Sequence, residues 1–333
     1  MPRPTISLAL IVRDEAKTLA RALDSVQGAY DQLVIVDTGS SDATVRIAHR
    51  YGADVLHFSD ALWPDGELSD FSAARNSALS AVHGDYWWWM DADEVADRHA
   101  PSRIRGHVAM RPDLPTQVVS ESRGLAWLRT RILRTSDCEQ WEGACHEFVA
   151  TRRTPLVLYD VRFRHRPTRS RQQSHRRNLR ILCHDILAGA YTQRNLFNVA
   201  RGYEGLRDSV AAEVAWRALL ALPPFASQYV VFAHLYLARL LSSQKDLVGA
   251  AEHASCALRL QPGLAEAACL LGDVAVKIGA CEPARFWFHS ALASGEAPIG
   301  PLFYEACYYS AYPATRLRDL DRAAYRRPEV LYG

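Results

Sequence analysis

Ile6-Ser-Leu-Ala-Leu-Ile-Val12 is an almost unbroken apolar run, and Leu33-Val-Ile-Val36 is a second. Runs of this kind, without polar alternation, belong to strands buried on both faces of a helix-covered parallel sheet. Between them Arg13-Asp14-Glu15 turns into an amphipathic helix that points Leu19, Leu23 and Val26 at the sheet, with Asp14 as its N-cap. Asp37-Thr-Gly-Ser-Ser-Asp42 then opens a helix carrying Val45, Ile47 and Ala48, and Tyr51-Gly-Ala-Asp-Val-Leu-His-Phe58 supplies a third strand. Strand, helix, strand, helix, strand in this order predicts a doubly wound α/β sheet.

Such sheets bind ligands outside the carboxyl ends of their strands. Asp37 stands at one of those ends, where its carboxylate would accept hydrogen bonds from a base or ribose; the other reading is a turn and helix cap. No GxGxxG fingerprint accompanies Gly39. A helix with a small-residue face starts at Asp70 and carries Arg75 and Asn76 toward the next strand end, where Arg75 would neutralise a diphosphate with a forked pair of bonds. As a surface residue, Arg75 would do nothing of the kind. That next strand is Gly84-Asp-Tyr-Trp-Trp-Trp-Met-Asp91-Ala-Asp93-Glu94, five bulky apolar residues running into two carboxylates one residue apart. Asp-x-Asp at a buried strand's end suits a hard divalent cation, which fills its other positions with phosphate oxygens and water. Alone, the motif reads more readily as an acidic turn after a core strand.

Strand-like stretches continue at Gln117–Ser120, Trp127–Arg134 and Val157–Phe163. Trp141-Glu-Gly-Ala-Cys-His-Glu-Phe-Val149 reads as a strand edge returning to the cleft, where His146 would be a third metal ligand and Glu147 a general base; the other reading, and the readier one on these residues alone, is a satisfied histidine and a surface acid. Cys138 and Cys145 have no zinc-site spacing. Eight arginines and no acidic residue lie from Arg162 to Arg180, a stretch that would contact phosphate or form a solvated helix face beside the cleft. Beyond residue 168 strand patterns cease. Pro224, Pro262 and Pro298 are 38 and 36 residues apart, Ala257 and Ala291 are 34 apart, and Ala-Leu precedes each proline-containing turn. This is the period of tetratricopeptide helix pairs. The expected domains are therefore 1–168 and 169–333, the tail from Phe303 to Tyr332 adding capping helices.

Composition restricts the function classes. A formal charge of +2 over 333 residues does not advertise a polyanionic partner, and no nucleic-acid readout module is visible. Lysine occurs only at positions 17, 245 and 277, so arginine carries nearly all the positive charge. No stretch has the roughly 20 apolar residues of a membrane span. The amino terminus lacks a signal-peptide core, and seven cysteines without a CxxC pair fit a reducing compartment, so a cytoplasmic location is expected.

Five ordered motifs, Ile11-Val-Arg-Asp-Glu-Ala16, Val34-Ile-Val-Asp-Thr-Gly-Ser-Ser-Asp-Ala-Thr44, Asp70-Phe-Ser-Ala-Ala-Arg-Asn76, Trp89-Met-Asp-Ala-Asp-Glu94 and His146-Glu147, resemble those of inverting family 2 glycosyltransferases of the GT-A fold. The similarity is to the bacterial subgroup in which that domain precedes tetratricopeptide-like repeats. The resemblance implies a nucleotide-sugar donor such as UDP-glucose or UDP-GlcNAc, with Mn²⁺ or Mg²⁺. Asp37 would read the base and Val12, Arg13, Glu15 and Gly39 would line its pocket. Arg75 would add charge near the donor. Asp93 would bind the cation directly, while Asp91 would contact ribose or reach metal through water, and His146 would complete the metal or diphosphate site. The base common in the family, in a Glu-Asp pair opening a downstream helix, has no counterpart here, which leaves Glu147 as base and Glu142 as its alternative. Two rival readings are a nucleotidyltransferase, which would want a Gly-rich loop after the first strand, and a repeat scaffold with a degenerate transferase domain. The repeats would present a peptide, a protein or an anionic polymer, form a homodimer interface, or brace a catalytic domain that modifies a saccharide, a lipid-linked glycan or a modified nucleobase.

Overall fold

A computed structural model describes residues 2–122, 125–151, 153–166, 170–299 and 304–325. The chain divides into two compact units, Met1–Leu182 and Cys183–Gly333. In the first, β1 (Ile6–Val12), α1 (Leu19–Asp24), β2 (Gln32–Asp37), α2 (Thr44–Arg50) and β3 (Asp54–His57) follow the expected alternation. Leu19, Leu23 and Val26 are fully buried in the core beneath the sheet. Asp14, however, does not cap α1. The helix starts a turn later, and Thr18 at its N-cap position makes no side-chain cap bond. Asp14 instead takes a left-handed backbone at φ 52°, and its carboxylate accepts from the Ser41 N–H at 2.7 Å and the Ser41 hydroxyl at 3.0 Å. It laces the turn after β1 to the turn after β2, which local helix signals do not reveal.

α3 (Phe71–Ser80) begins where predicted, with the Asp70 carboxylate accepting from the Ala73 N–H at 2.9 Å, and Ala74 and Ala78 pack on the sheet. β4 (Tyr86–Trp89), β5 (Glu94–Ala96), α4 (Ala100–Ala109), β6 (Thr116–Ser122), β7 (Leu125–Arg134), β8 (Trp141–Glu142), β9 (Phe148–Val149), β10 (Leu156–His165) and α5 (Arg171–Leu187) complete the sequence of elements. The main sheet has eight strands in the order β3-β2-β1-β4-β7-β6-β10-β5. β1 is parallel to both β2 and β4, so the chain winds outward to β3 and then returns to the other side of β1. The switch point, and with it the ligand crevice, lies beyond the ends of β1 and β4. β4 and β7 are antiparallel, as are β7 and β6. Instead of one edge strand, residues 141–149 form the small β8–β9 hairpin, its turn held by Gly143 at φ 89° and His146 at φ 55°.

The expected boundary at 168 falls among Pro167, Thr168 and Arg169, which lie outside the described residues. The first unit continues to Leu182 because the start of α5 packs into it, with the Arg177 guanidinium 4.7 Å from the Phe71 ring and that of Arg180 4.5 Å from the Trp63 ring.

The second unit is helical: α6 (Gln193–Leu206), α7 (Ser209–Leu220), α8 (Gln228–Ser243), α9 (Leu247–Leu260), α10 (Ala265–Lys277), α11 (Cys281–Ala293) and α12 (Ala311–Tyr325). α6 packs with α7, α8 with α9 and α10 with α11, in the manner of tetratricopeptide-like pairs. The Ala-Leu repeats form the second helix of each pair, and Ala257 and Ala291 are fully buried. Of the expected tail, Phe303 and residues 326–333 lie outside the described residues.

Candidate active site

The crevice beyond β1 and β4 is a cavity of about 360 Å³ whose lining includes Val12, Arg13, Glu15, Arg75, Asp91, Asp93, His146 and Glu147. The fold thus brings most of the residues expected at a donor site to one place. Asp37 and Gly39 are not among the described lining residues. The Asp37 carboxylate is 3% exposed and accepts from the N–H groups of Gly39 at 3.3 Å and Ser40 at 3.1 Å. Its turn-cap role is thus visible. Arg13 donates to the Gly66 carbonyl, which ties the loop after β3 to the cleft wall.

Arg75 organises the centre. Its Nε donates to Glu147 and its Nη2 to Asp91, both at 2.6 Å, and its guanidinium lies 4.6 Å from each of the Trp89 and Trp141 ring centres. Burial disfavours its charge, but Glu147 and Asp91 outweigh burial and raise its pKa. The planar fork and the two aromatic faces make this a position for arginine rather than lysine. Asn76, expected to point at the same strand end, instead exchanges two amide bonds with the Trp141 backbone, at 3.0 and 2.9 Å. With the Phe71 N–H donating to the Ala144 carbonyl at 2.8 Å, this fixes the β8–β9 hairpin on α3. The pairing of Arg75 with Glu147 follows from that docking. Glu142, on the same hairpin, is exposed and is not among the described cleft-lining residues.

The acidic turn is held from beneath by residues the sequence did not single out. Arg131, fully buried on β7, donates to both Glu94 oxygens at 2.8 and 2.6 Å and to the Trp89 carbonyl at 3.1 Å. Glu94 in turn accepts from the Asp91 N–H at 2.9 Å. This buried pair clamps the backbone on both sides of Asp91. Arg129, two residues earlier on β7, donates to Asp91 Oδ2 at 3.1 Å. Burial would raise the Asp91 pKa, but Arg75, Arg129 and Arg131 together hold its carboxyl well below the usual range. Both Asp91 oxygens are thus engaged by guanidinium groups.

Asp93 differs. Its Oδ2 lies 2.9 Å from Nε2 of His165, at the end of β10, and its carbonyl accepts from the Arg166 N–H at 2.8 Å. The bond to Asp93 raises the His165 pKa despite partial burial. His146 sits on the cleft wall in the β8–β9 turn. Among the described residues, no three His, Cys, Asp or Glu side chains group as a metal cage. Only the three-dimensional register reveals His165: β10 pairs antiparallel with the unanticipated β5, placing His165 opposite Glu94.

Residues 7–141 match the family described as glycosyl transferase family 2. That stretch lies within the amino-terminal unit. The match stops before the β8–β9 hairpin closes and before His165, so part of the cleft lies beyond it. A TPR repeat-containing protein of Synechococcus elongatus is 42% identical over 116 residues, 35% of this chain and 27% of that protein. Glucosyl-3-phosphoglycerate synthase of Petrotoga mobilis is 33% identical over 95 residues, 26% of this chain and 29% of that enzyme. The chain thus matches less than a third of the length of either curated relative. Among solved structures, the Mycobacterium tuberculosis glucosyl-3-phosphoglycerate synthase bound to Mn²⁺, UDP and glucosyl-3-phosphoglycerate superposes with a TM-score of 0.29 and 24% identity, over 36% of this chain and 45% of that one. No helix of the described residues in either unit is long and apolar enough to cross a membrane.

Proposed function

We propose that the transferase domain moves a sugar, with inversion, from a nucleoside-diphosphate donor to an acceptor, and that a divalent cation assists it. The observation that carries this reading is the Asp93–His165 pair, 2.9 Å apart and partly open to a cleft at the switch point of a family 2 domain. One carboxylate oxygen and one imidazole nitrogen leave most coordination positions to phosphate oxygens and water, a donor set suited to Mn²⁺ more than to Mg²⁺. His165 takes the ligand role expected of His146. The cation, when bound, supplies Lewis-acid stabilisation to the departing diphosphate.

The chain's own residues do the remainder. Arg75 and Arg129 hold Asp91 on the donor side of the turn, which keeps Asp93 oriented, and Arg75 contributes fixed positive charge next to the diphosphate position. Val12, Arg13 and Glu15 line the nucleoside end of the cleft, with Asp37 and Gly39 shaping the turn behind it. Glu147, oriented by Arg75, is the proposed base. It takes the acceptor proton while the acceptor oxygen bonds to the anomeric carbon and the sugar–phosphate bond breaks, its electron pair leaving with the diphosphate. Glu142, outside the described lining, is the weaker assignment.

Release of UDP from a panel of UDP-sugars, with and without Mn²⁺, tests the reading in the wild type and in Asp93→Ala. Metal-dependent release in the wild type and a loss of about a hundredfold or more in the variant are expected. Full activity in the variant removes Asp93 from the mechanism, and absence of metal-dependent UDP binding by calorimetry favours a non-catalytic scaffold.

A further inference from the structure

His165 borders two cavities. One is the donor cleft; the other, about 460 Å³, is lined by Glu121, Ser122, Leu125, Arg164, His165 and Arg166 among its described residues. We infer that this second cavity is the acceptor subsite, and that it selects acceptors bearing an anionic group, a phosphate or a carboxylate, close to the hydroxyl that is glycosylated. The inference rests on the donor reading above and names the other substrate of the same site.

Charge points to the class of acceptor. Glu121 is the one carboxylate among the described lining residues, and it is already shared, accepting from Arg162 and, at 3.3 Å, from Arg164 Nε. Arg164 and Arg166 are both exposed, so the cavity wall has more guanidinium than carboxylate to offer an incoming ligand. An arginine fork recognises phosphate or carboxylate through paired charge-assisted bonds, and a neutral polyol offers it nothing comparable.

Position points to the role. Three consecutive residues couple the cavity to the proposed metal pair: Arg164 pairs with Val95 on β5, His165 bonds to the Asp93 carboxylate, and the Arg166 N–H donates to the Asp93 carbonyl. An anion held by Arg164 and Arg166 is therefore fixed relative to the metal pair, and its neighbouring hydroxyl is directed toward the donor sugar. Such fixed orientation lets remote binding energy lower the barrier of the transfer step.

The test uses the full chain, Mn²⁺ and the UDP-sugar it binds, with UDP release measured for matched acceptors: glucose, glucose 6-phosphate and glucuronate. Stimulation by at least one anionic member, about tenfold above glucose, is expected, which corresponds to one good charge-assisted contact. Glucose 6-phosphate against glucuronate tells phosphate from carboxylate recognition. Arg166→Gln, at an exposed position that folding tolerates, should raise KM for the anionic acceptor about tenfold and abolish its preference over glucose. Inorganic phosphate should compete with the acceptor in the wild type and lose that effect in the variant. The inference is overturned if no anionic compound exceeds glucose, or if Arg166→Gln keeps the preference. Calorimetry of UDP with Mn²⁺ separates the two failures: UDP binding without anion preference sinks only the acceptor subsite, whereas absence of UDP binding sinks the donor reading.

Discussion

The two units place their buried charge differently. In the amino-terminal unit Arg75, Arg129 and Arg131 converge on Asp91, Glu94 and Glu147 around one turn, although the residues come from α3, the turn after β4, β5, β7 and the β8–β9 hairpin. In the repeat unit ion pairs are spread along the chain, from Arg201–Glu204 within α6 to Arg239–Glu305 and Arg316–Asp273 against the last segments. Helix pairs are held together mainly by small and aromatic side chains, such as Ala257, Ala291 and Phe288. The cleft is thus an electrostatic construction on a sheet, whereas the repeats are a packing construction in which charged groups are dispersed rather than gathered at one site.

The largest expected effect breaks the first half of that contrast. Arg131→Met leaves Glu94 buried without its partner and frees the Asp91 backbone. Chemical denaturation should show a loss of about 3–5 kcal/mol, and a change below about 1 kcal/mol would show that the pair is incidental. Arg75→Lys keeps the charge but loses the fork between two tryptophans. UDP release should fall about tenfold to a hundredfold, because lysine cannot bond Glu147 and Asp91 together in that geometry. In the repeat unit the comparable wound is steric. A Cβ at Gly272 would lie 2.7 Å from the Phe288 ring, so Gly272→Ala should cost about 1–3 kcal/mol through overpacking, despite alanine's better helix propensity.

The smallest effect depends on pH. His234 on α8 and His253 on α9 have their Nδ1 atoms 2.8 Å apart. Burial, then His253 and Arg259, push His234 down to about 4, and burial with Arg217 lowers His253 against the pull of Glu252 and Asp246. Both folded-state values lie below the ordinary 6.5, so below that pH the unfolded chain binds more protons. Stability is therefore fully present above about pH 6.5 and declines as pH falls toward about 4. A melting profile taken through this window should flatten in His234→Gln, and an unchanged slope would locate the pH dependence elsewhere.

The same contrast explains what the sequence revealed. β1, β2, the Asp70 cap, the Asp-x-Asp turn and the Ala-Leu repeats are local patterns, and all stand where their periodicity puts them. Arg129, Arg131 and His165 read as ordinary residues of polar strands, because their meaning comes from β7 lying beside β4 and β10 beside β5. No local pattern announces β5, only three residues long, yet it carries Glu94 into the core and sets His165 beside the turn. Likewise, Asp14 looks like a helix cap until the neighbouring Ser41 loop is known. The acidic turn and Arg75 were legible from motifs; the residues that orient them were not.

The most direct test of the central claim is calorimetric titration of the full chain with UDP, with and without Mn²⁺, in the wild type, His165→Ala and His146→Ala. Metal-dependent UDP binding should be retained in His146→Ala and weakened about tenfold to a hundredfold in His165→Ala. Equal binding by wild type and His165→Ala, or loss confined to His146→Ala, would contradict the account.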